Sequence, residues 1–391
     1  MSGQVSIDEL IGWDSLLTDD EKEVRRSVRR FVDSQCMPRI TDAFEAGRFP
    51  EEVVAGIADL GLLGANLHGY GCAGVSSVAY GLACHELEAC DSGLRSFVSV
   101  QTSLAMYAIL TFGSEAQKQR WLPQMAAGKV IGCFGLTEPD HGSDPGSMAT
   151  YCVKDGDHWL LNGSKMWITN AQSADISVVW ARERGGAGRI LGFLVEKGTE
   201  GFEAVGIPHK LSMKASFTGG LFLNDVRLPE SSRMPEGVGL KAPLMCLNNA
   251  RFGVAFGVVG AARDCLERAV AYSLERKQFG VPLASKQLIQ AQLAEMLSDI
   301  AKASVLSVHY GRLKDQGKLK PHHVSLLKRN NCKIALDAAR TARSILGANG
   351  ITTDHHVIRH AVNLESTYTY EGTNEIHSLV LGEFLTGIKA Y

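Results

Sequence analysis

The chain has 391 residues, 45% of them hydrophobic, and its 40 Lys and Arg nearly balance its 42 Asp and Glu for a formal charge of −2. That is enough for two or three domains with complete cores, and it gives no electrostatic case for binding nucleic acid or an anionic membrane surface. The longest apolar run, residues 252–262, is bracketed by Arg251 and Arg263 and is too short to span a bilayer, so no membrane insertion is expected.

Residues 1–14 are acidic and lack the basic-then-apolar order of a secretory leader, so no signal peptide is expected. Nine cysteines without CxxC spacing predict free thiols in a reducing, cytoplasmic setting. Thr18, with Glu21 three residues on, predicts a capping box, and Val24, Val28, Phe31 and Val32 form one apolar helix stripe behind it. Helical patterns recur over residues 51–63, 77–88, 104–112 and 115–127. Near residue 133 the texture changes to short β-type runs at 158–161, 176–180, 190–195 and 220–223. Turn signals such as Asn162-Gly163 and Gly185-Gly186 separate them. From about Leu244 helical patterns return, over residues 251–276, 285–316, 322–346 and 375–387. Helices, then strands, then helices predict an α+β chain of three domains, residues 1–132, 133–240 and 241–391, rather than alternating βαβ units.

Several segments carry candidate chemistry. Tyr370, Glu371, Gly372 and Thr373 place one carboxylate beside a glycine that leaves room for a ligand. Glu371 could be a general base there, or Thr373 could simply cap the next helix with Glu371 solvated. Residues 133–144, CFGLTEPDHGSD, join an apolar stretch to a polar turn. The Thr137 and Ser143 hydroxyls and the amides near Gly142 suit a flavin edge or pyrophosphate, or they merely close a strand. Trp167, Ile168 and Thr169 put an aromatic and a hydroxyl on one edge, and alone they read more readily as a strand end with a core tryptophan. Residues 185–192, GGAGRILG, miss the GxGxxG spacing and lead into a strand, which predicts a hairpin and no nicotinamide site. His356 and His360 stand at i, i+4 without an HExxH context or a third ligand, so they read as packed or solvated side chains and no metal is expected. Residues 276–280, RKQFG, pair charge with an aromatic as if against a phosphate, or end a helix with Gly280 as its cap.

In order and spacing these segments resemble the acyl-CoA dehydrogenases over essentially the whole chain, and within that family the glutaryl-CoA dehydrogenase branch. The resemblance implies an N-terminal helical domain, a middle β-barrel or sandwich and a C-terminal four-helix bundle, with FAD as cofactor. It implies flavin contacts from Phe134, Leu136, Thr137, Gly142 and Ser143, and from Trp167, Ile168 and Thr169. Arg276, Gln278 and Phe279 match the flavin-clamping arginine motif and Gln287 a glutamine that touches FAD. Leu346 and Gly347 match a glycine-rich turn offered by a neighbouring subunit, and Thr373 a further flavin contact. Glu371 matches the catalytic base of the glutaryl branch, with Tyr370, Gly372 and Ser143 beside the substrate. Asn248 and Arg251, in CLNNARFG, match a segment lining the CoA channel.

In that branch the segment DSGLRSFVSVQ, residues 91–101, supplies an arginine and a serine for the substrate's distal carboxylate. Arg95 and Ser99 stand at i, i+4 on one helix face, with Ser96 beside them. A guanidinium buried there is costly unless an anion meets it. That anion is either a dicarboxylic acyl chain or a protein carboxylate. The implied activity is α,β-dehydrogenation of an acyl-CoA, in this branch oxidative decarboxylation of glutaryl-CoA to crotonyl-CoA, a step of lysine and tryptophan degradation. The implied partners are electron-transfer flavoprotein and three further copies of the chain. Alternatives are a different short or acidic acyl chain, on CoA or a carrier protein, and a non-catalytic paralogue, against which Glu371 stands. Ser344, Lys214, Glu383 and residues 69–74, GYGCAG, depart from the family pattern, though none lies at the base or the carboxylate clamp.

Overall fold

The computed structural model describes residues 7–390. The capping box forms as the sequence predicts: the Thr18 hydroxyl accepts the Glu21 N–H, Glu21 accepts the Thr18 N–H, and the helix Asp19–Phe31 follows. Residues 51–63 hold less helix than expected, a 3₁₀ turn Glu51–Val53 and a short helix Val54–Asp59. The helix expected at 104–112 instead begins twelve residues earlier. Asp91 caps Ser92–Ser99, which runs through a π-helical stretch, Val100–Met106, into Tyr107–Phe112. Arg95 and Ser99 therefore do lie one turn apart on a helix, all of whose residues are buried.

The middle domain is one mixed sheet. Its strands are β1 Gly132–Gly135, β2 Tyr151–Asp155, β3 His158–Thr169, β4 Ile176–Arg184, β5 Ile190–Glu196, β6 Phe202–Gly206, β7 Thr218–Pro229 and β8 Arg233–Val238. They follow the order β6-β7-β3-β2-β4-β5-β8, with β1 also paired to β4. β4 buries both faces. Val179 and Ala181 join the sheet's own core with Leu161 and Phe193, while Ile176, Val178 and Trp180 pack with Leu122 and Met125 of the helix Glu115–Ala126. That is why residues 176–180 read as an apolar run interrupted only by Ser177, itself buried and bonded to Cys133. One edge of β4 is shared end to end by β1, at Gly132↔Ile176, and β2, at Tyr151↔Arg182. Residues 136–150 must leave the sheet between them, and they carry Leu136, Thr137, Gly142 and Ser143 of the candidate cofactor motif. Gly185-Gly186 turns β4 into β5 as expected. Asn162-Gly163 does not turn the chain: it is a bulge inside β3, where Gly163 has φ 138° and a Cβ would sit 2.5 Å from Thr150 Oγ1.

The helices Lys241–Glu275, Gln287–Asp315, Pro321–Ile345 and Asn374–Thr386 follow the sequence pattern, and Val357–Thr369 adds a fifth. By length and composition Lys241–Glu275 could cross a bilayer, which the run 252–262 alone did not indicate. Here its apolar side chains are covered. Phe252, Ala255 and Phe256 join the N-terminal core, and Val254, Val258 and Ala262 join the bundle core. It lies against the wholly buried helix Ser77–Cys90, and glycines permit the approach. A Cβ on Gly260 would come 1.9 Å from the His85 carbonyl oxygen, and one on Gly257 2.5 Å from Glu88 Oε2. Charge joins the same elements: Glu86 meets Arg25 at 2.8 Å, Arg29 at 2.5 Å and Arg263 at 2.9 Å.

Gly260→Ala is expected to cost about 1–3 kcal/mol or more, because the obstructing atom is backbone and cannot swing aside. A clear fall in the thermal midpoint checks this. Gly382→Ala, within the helix Asn374–Thr386, adds a methyl that meets nothing within 4 Å and should leave the midpoint unchanged or raise it slightly through helix propensity.

Candidate active site

The site is assembled where four helices of the two helical domains meet. Asp91 Oδ1 accepts the Gly93 N–H at 2.7 Å, and its Oδ2 is held by Arg359 at 3.0 Å and Asn363 at 2.9 Å. That cap orients the helix bearing Arg95. The Arg95 guanidinium, 1% exposed, meets Glu88 through Nε–Oε2 at 2.6 Å and Nη2–Oε1 at 3.3 Å, and Nη2 also donates to the Tyr370 hydroxyl. The anion that meets Arg95 in the free protein is therefore Glu88, one of the two outcomes that the burial argument allowed. Ser99 Oγ, one turn on, is buried beside the Tyr80 hydroxyl, which bonds Ser103 at 2.9 Å. Ser96 is buried on the same helix.

Across from Arg95 lies the loop from Tyr370 to Thr373. Glu371 holds a left-handed backbone, φ 53°, uncommon for a non-glycine residue and characteristic of functional sites. Its Oε2 is buried without a partner. Burial pushes the Glu371 carboxyl up, against the opposing pull of Arg95, Arg251 and Lys328. Arg251 Nε donates to the Glu371 carbonyl at 2.6 Å and its Nη1 to Asn248 Oδ1 at 3.1 Å. Gly372 has φ 93°, and a Cβ there would sit 2.9 Å from His377 Nε2 and 3.4 Å from Arg251 Nη2. Thr373 caps Asn374–Thr386, its hydroxyl accepting the Ile376 N–H at 3.2 Å. The helix-cap reading of this segment holds for Thr373. The solvated reading of Glu371 does not.

The middle-domain motifs meet one another. Thr137 O accepts the Met166 N–H at 2.8 Å, joining the segment after β1 to the second bulge of β3. Lys165, buried beneath, binds Glu138 Oε1 at 2.9 Å and Leu136 O at 3.1 Å, and Glu138 in turn accepts the Ala149 and Thr150 N–H groups. This pins the loop while leaving Gly142 and Ser143 exposed. Phe134 is packed against Trp180, and Ile168 is buried. Trp167 is not a core residue: it has φ 64° and is 62% exposed, with Thr169 beside it pairing to Thr218. An indole held outward at a left-handed position, next to a polar loop with free peptide groups, fits the face and edge of a flavin.

The other cofactor candidates lie apart. The long helix stops at Glu275, and Lys277–Gln278 pairs with Val281–Pro282 through a turn at Phe279 and Gly280, φ 53° and 80°. Gly280 is thus a hairpin residue rather than a helix cap, and Phe279 is 94% exposed. Arg276 O accepts the Leu283 N–H, and Gln287 is exposed at the start of its helix. Leu346 is buried, and Gly347, φ 59°, opens the 3₁₀ turn Gly347–Ile351. Among the described residues no hydrogen bond or ring contact joins these to the Phe134–Thr169 group. His360 is packed, Nε2 to Asp264 at 3.1 Å, and His356 begins the helix Val357–Thr369. Lys214, a departure from the family pattern, donates to Glu45 O at 3.2 Å.

Three site residues escaped the sequence reading: Glu88, Lys328 and His377. A signal for the first existed. The segment SVAYGLACHELEAC has no polar face, so Glu86 and Glu88 had to be buried and hence paired.

Matches to known proteins accord with this geometry. The acyl-CoA dehydrogenase N-terminal, middle and C-terminal domain families match residues 18–129, 133–226 and 237–386. The chain belongs to the acyl-CoA dehydrogenase family, and it is an FAD-dependent oxidoreductase. Its fold matches a glutaryl-CoA dehydrogenase from Mycobacterium smegmatis with TM-score 0.97 and 54% identity, over 99% of this chain and 100% of that one. A second glutaryl-CoA dehydrogenase structure from Mycobacterium smegmatis, in complex with FADH2, matches with TM-score 0.97 and 50% identity over the same shares. The short-chain specific acyl-CoA dehydrogenase of Bos taurus mitochondria is 34% identical over 380 residues, covering 96% of this chain and 92% of that protein.

Proposed function

We propose that this enzyme oxidises and decarboxylates glutaryl-CoA to crotonyl-CoA and CO2. One observation carries the reading: a buried Ser99 hydroxyl one turn from a buried arginine, itself bonded to the Tyr370 hydroxyl beside Glu371. A hydrocarbon chain has no use for either group, whereas a distal carboxylate accepts from both. Glu371 takes the α-proton, and its own N–H, turned by the left-handed backbone, is the enolate donor. A donor of that kind contributes about 3–4 kcal/mol in a transition state. FAD, when bound, supplies the acceptor for the β-hydride. The product's carboxylate then sits against Arg95 with Glu88 on the other side of the guanidinium, so two carboxylates crowd one guanidinium. Loss of neutral CO2 relieves that crowding, while the negative charge stays with the acyl chain. The electron pair left on the chain is delocalised into the thioester, and Glu371, now carrying the proton, returns it to the γ-carbon.

Product analysis with an artificial electron acceptor tests this. Crotonyl-CoA and one CO2 per turnover are expected, and an enoyl product that keeps its carboxylate would restrict the enzyme to oxidation. A second reading has its own support. Glu88 already neutralises Arg95 in the free protein, so a neutral short acyl chain would meet no net charge in this pocket.

For electron transfer the family's usual partner, electron-transfer flavoprotein, is our proposal, and the nine free thiols accord with a reducing cytoplasm. We also infer a tetramer in which FAD lies between chains. Phe279, Leu288 and Trp167 are 94%, 81% and 62% exposed, as expected of cofactor and interface groups. Arg276→Ala is expected to weaken FAD retention and loosen the oligomer together, since a shared cofactor links binding to assembly. Flavin stoichiometry and light scattering on one preparation check it, and full FAD with an unchanged oligomer would remove this role.

A further inference from the structure

We propose that Lys328 is a positioning residue for the catalytic loop, anchoring the carbonyls on either side of Glu371. The proposal rests on the reading of Glu371 as the base.

Lys328 comes from the helix Pro321–Ile345 and is 0% exposed. Among the described residues no carboxylate lies within ion-pair distance of it. Its ammonium donates to Gly372 O at 2.7 Å and to Tyr368 O at 3.3 Å. Buried lysines are ordinarily paired or extend their heads to water, and two carbonyls are thin compensation for a dry ammonium. Its placement is explained by what it grips. Arg251, from the helix Lys241–Glu275, holds the Glu371 carbonyl at 2.6 Å, so two cations from two helices bind consecutive carbonyls. Those carbonyls belong to the two residues with left-handed backbones, φ 53° and 93°. One turn before Lys328, Ser325 Oγ bonds His377 Nδ1 at 3.1 Å, and His377 closes the space beside Gly372.

The charges facing Glu371 can be named element by element. Arg95, from Ser92–Ser99, is matched by Glu88 of Ser77–Cys90. His377, on Asn374–Thr386, is held neutral, pushed down to about 3 by burial and then by Lys328 and Arg251. The Tyr370 hydroxyl is neutral, pushed up by burial. Arg251 and Lys328 remain; burial pushes both down from their ordinary values, and among the described residues neither has an ion-pair partner. Lys328 therefore favours the ionised form of Glu371, while burial favours the protonated form.

Lys328→Met removes the charge at nearly the same length. The acid limb of the rate of flavin reduction at saturating substrate should move up by about one pH unit. Below that limb the rate should fall at least ~10-fold, with FAD content kept and KM changed less than about threefold. Lys328→Arg keeps the charge and should keep the limb in its wild-type place. A Lys328→Met limb that does not move overturns the proposal, as does a Lys328→Arg limb displaced like that of Lys328→Met. Should Lys328→Met fail to fold, Lys328→Gln gives the same readout and Lys328→Arg still decides. Glu371→Gln separates the two levels. If it still reduces flavin, the base assignment fails; if it does not and the Lys328 profiles are unmoved, only this proposal fails.

Discussion

Glu371→Gln is expected to leave FAD bound and to slow flavin reduction by acyl-CoA at least ~100-fold. The substitution keeps length, left-handed backbone and hydrogen-bonding reach, and removes only the capacity to accept the α-proton. Among the described residues no substitute base is placed beside it. The segment CLNNARFG, which faces the same loop through Arg251, contains no carboxylate, and Glu88 is occupied by Arg95 at 2.6 Å. Stopped-flow reduction of the holoenzyme measures it, and near-normal reduction would transfer the role elsewhere.

Arg95→Ala has the next largest expected effect, and the structure changes how it must be done. The guanidinium serves two anions: Glu88 in the free protein and, on our reading, the substrate's distal carboxylate in the complex. Leaving a buried charge without its partner costs about 2–5 kcal/mol. The single substitution is expected to lower kcat/KM for glutaryl-CoA by roughly 30-fold or more. Butyryl-CoA, which never made the pair, should change little. Arg95→Ala combined with Glu88→Gln removes the stranded carboxylate as well. The double variant should recover stability and still discriminate against glutaryl-CoA. Equal losses for both substrates in the double variant would make Arg95 structural.

Much of this was legible in the sequence because it rests on local chemistry. Thr18 and Glu21 cap as read, the strand runs lie within β3, β4, β5 and β7, and the long helices fall near their predicted bounds. Two of the missed elements have burial that is mostly polar or slight. The helix Val357–Thr369 buries Arg359, His360, Asn363 and Thr367, so its periodicity is carried by polar side chains that a hydrophobic count ignores. β6 is an edge strand with three exposed residues and no apolar alternation to find. At the site, the residues Arg95, Ser99 and Glu371 could be named from motifs, whereas Glu88 and Lys328 act through contacts 7 and 44 residues away in sequence. For Trp167 only the resemblance pointed away from the core: a left-handed backbone at a strand bulge turned it outward, and nothing in the residue itself announces that.

The central claim, that a dicarboxylic acyl chain is the substrate, is tested most directly by anaerobic mixing of the holoenzyme with equimolar glutaryl-CoA or butyryl-CoA while the flavin absorbance is followed. We expect rapid bleaching by glutaryl-CoA and bleaching by butyryl-CoA at least ~10-fold slower, the difference that one buried charge-assisted pair supplies. Bleaching by butyryl-CoA at an equal or greater rate would contradict the account and make this a short-chain enzyme with an internally neutralised pocket.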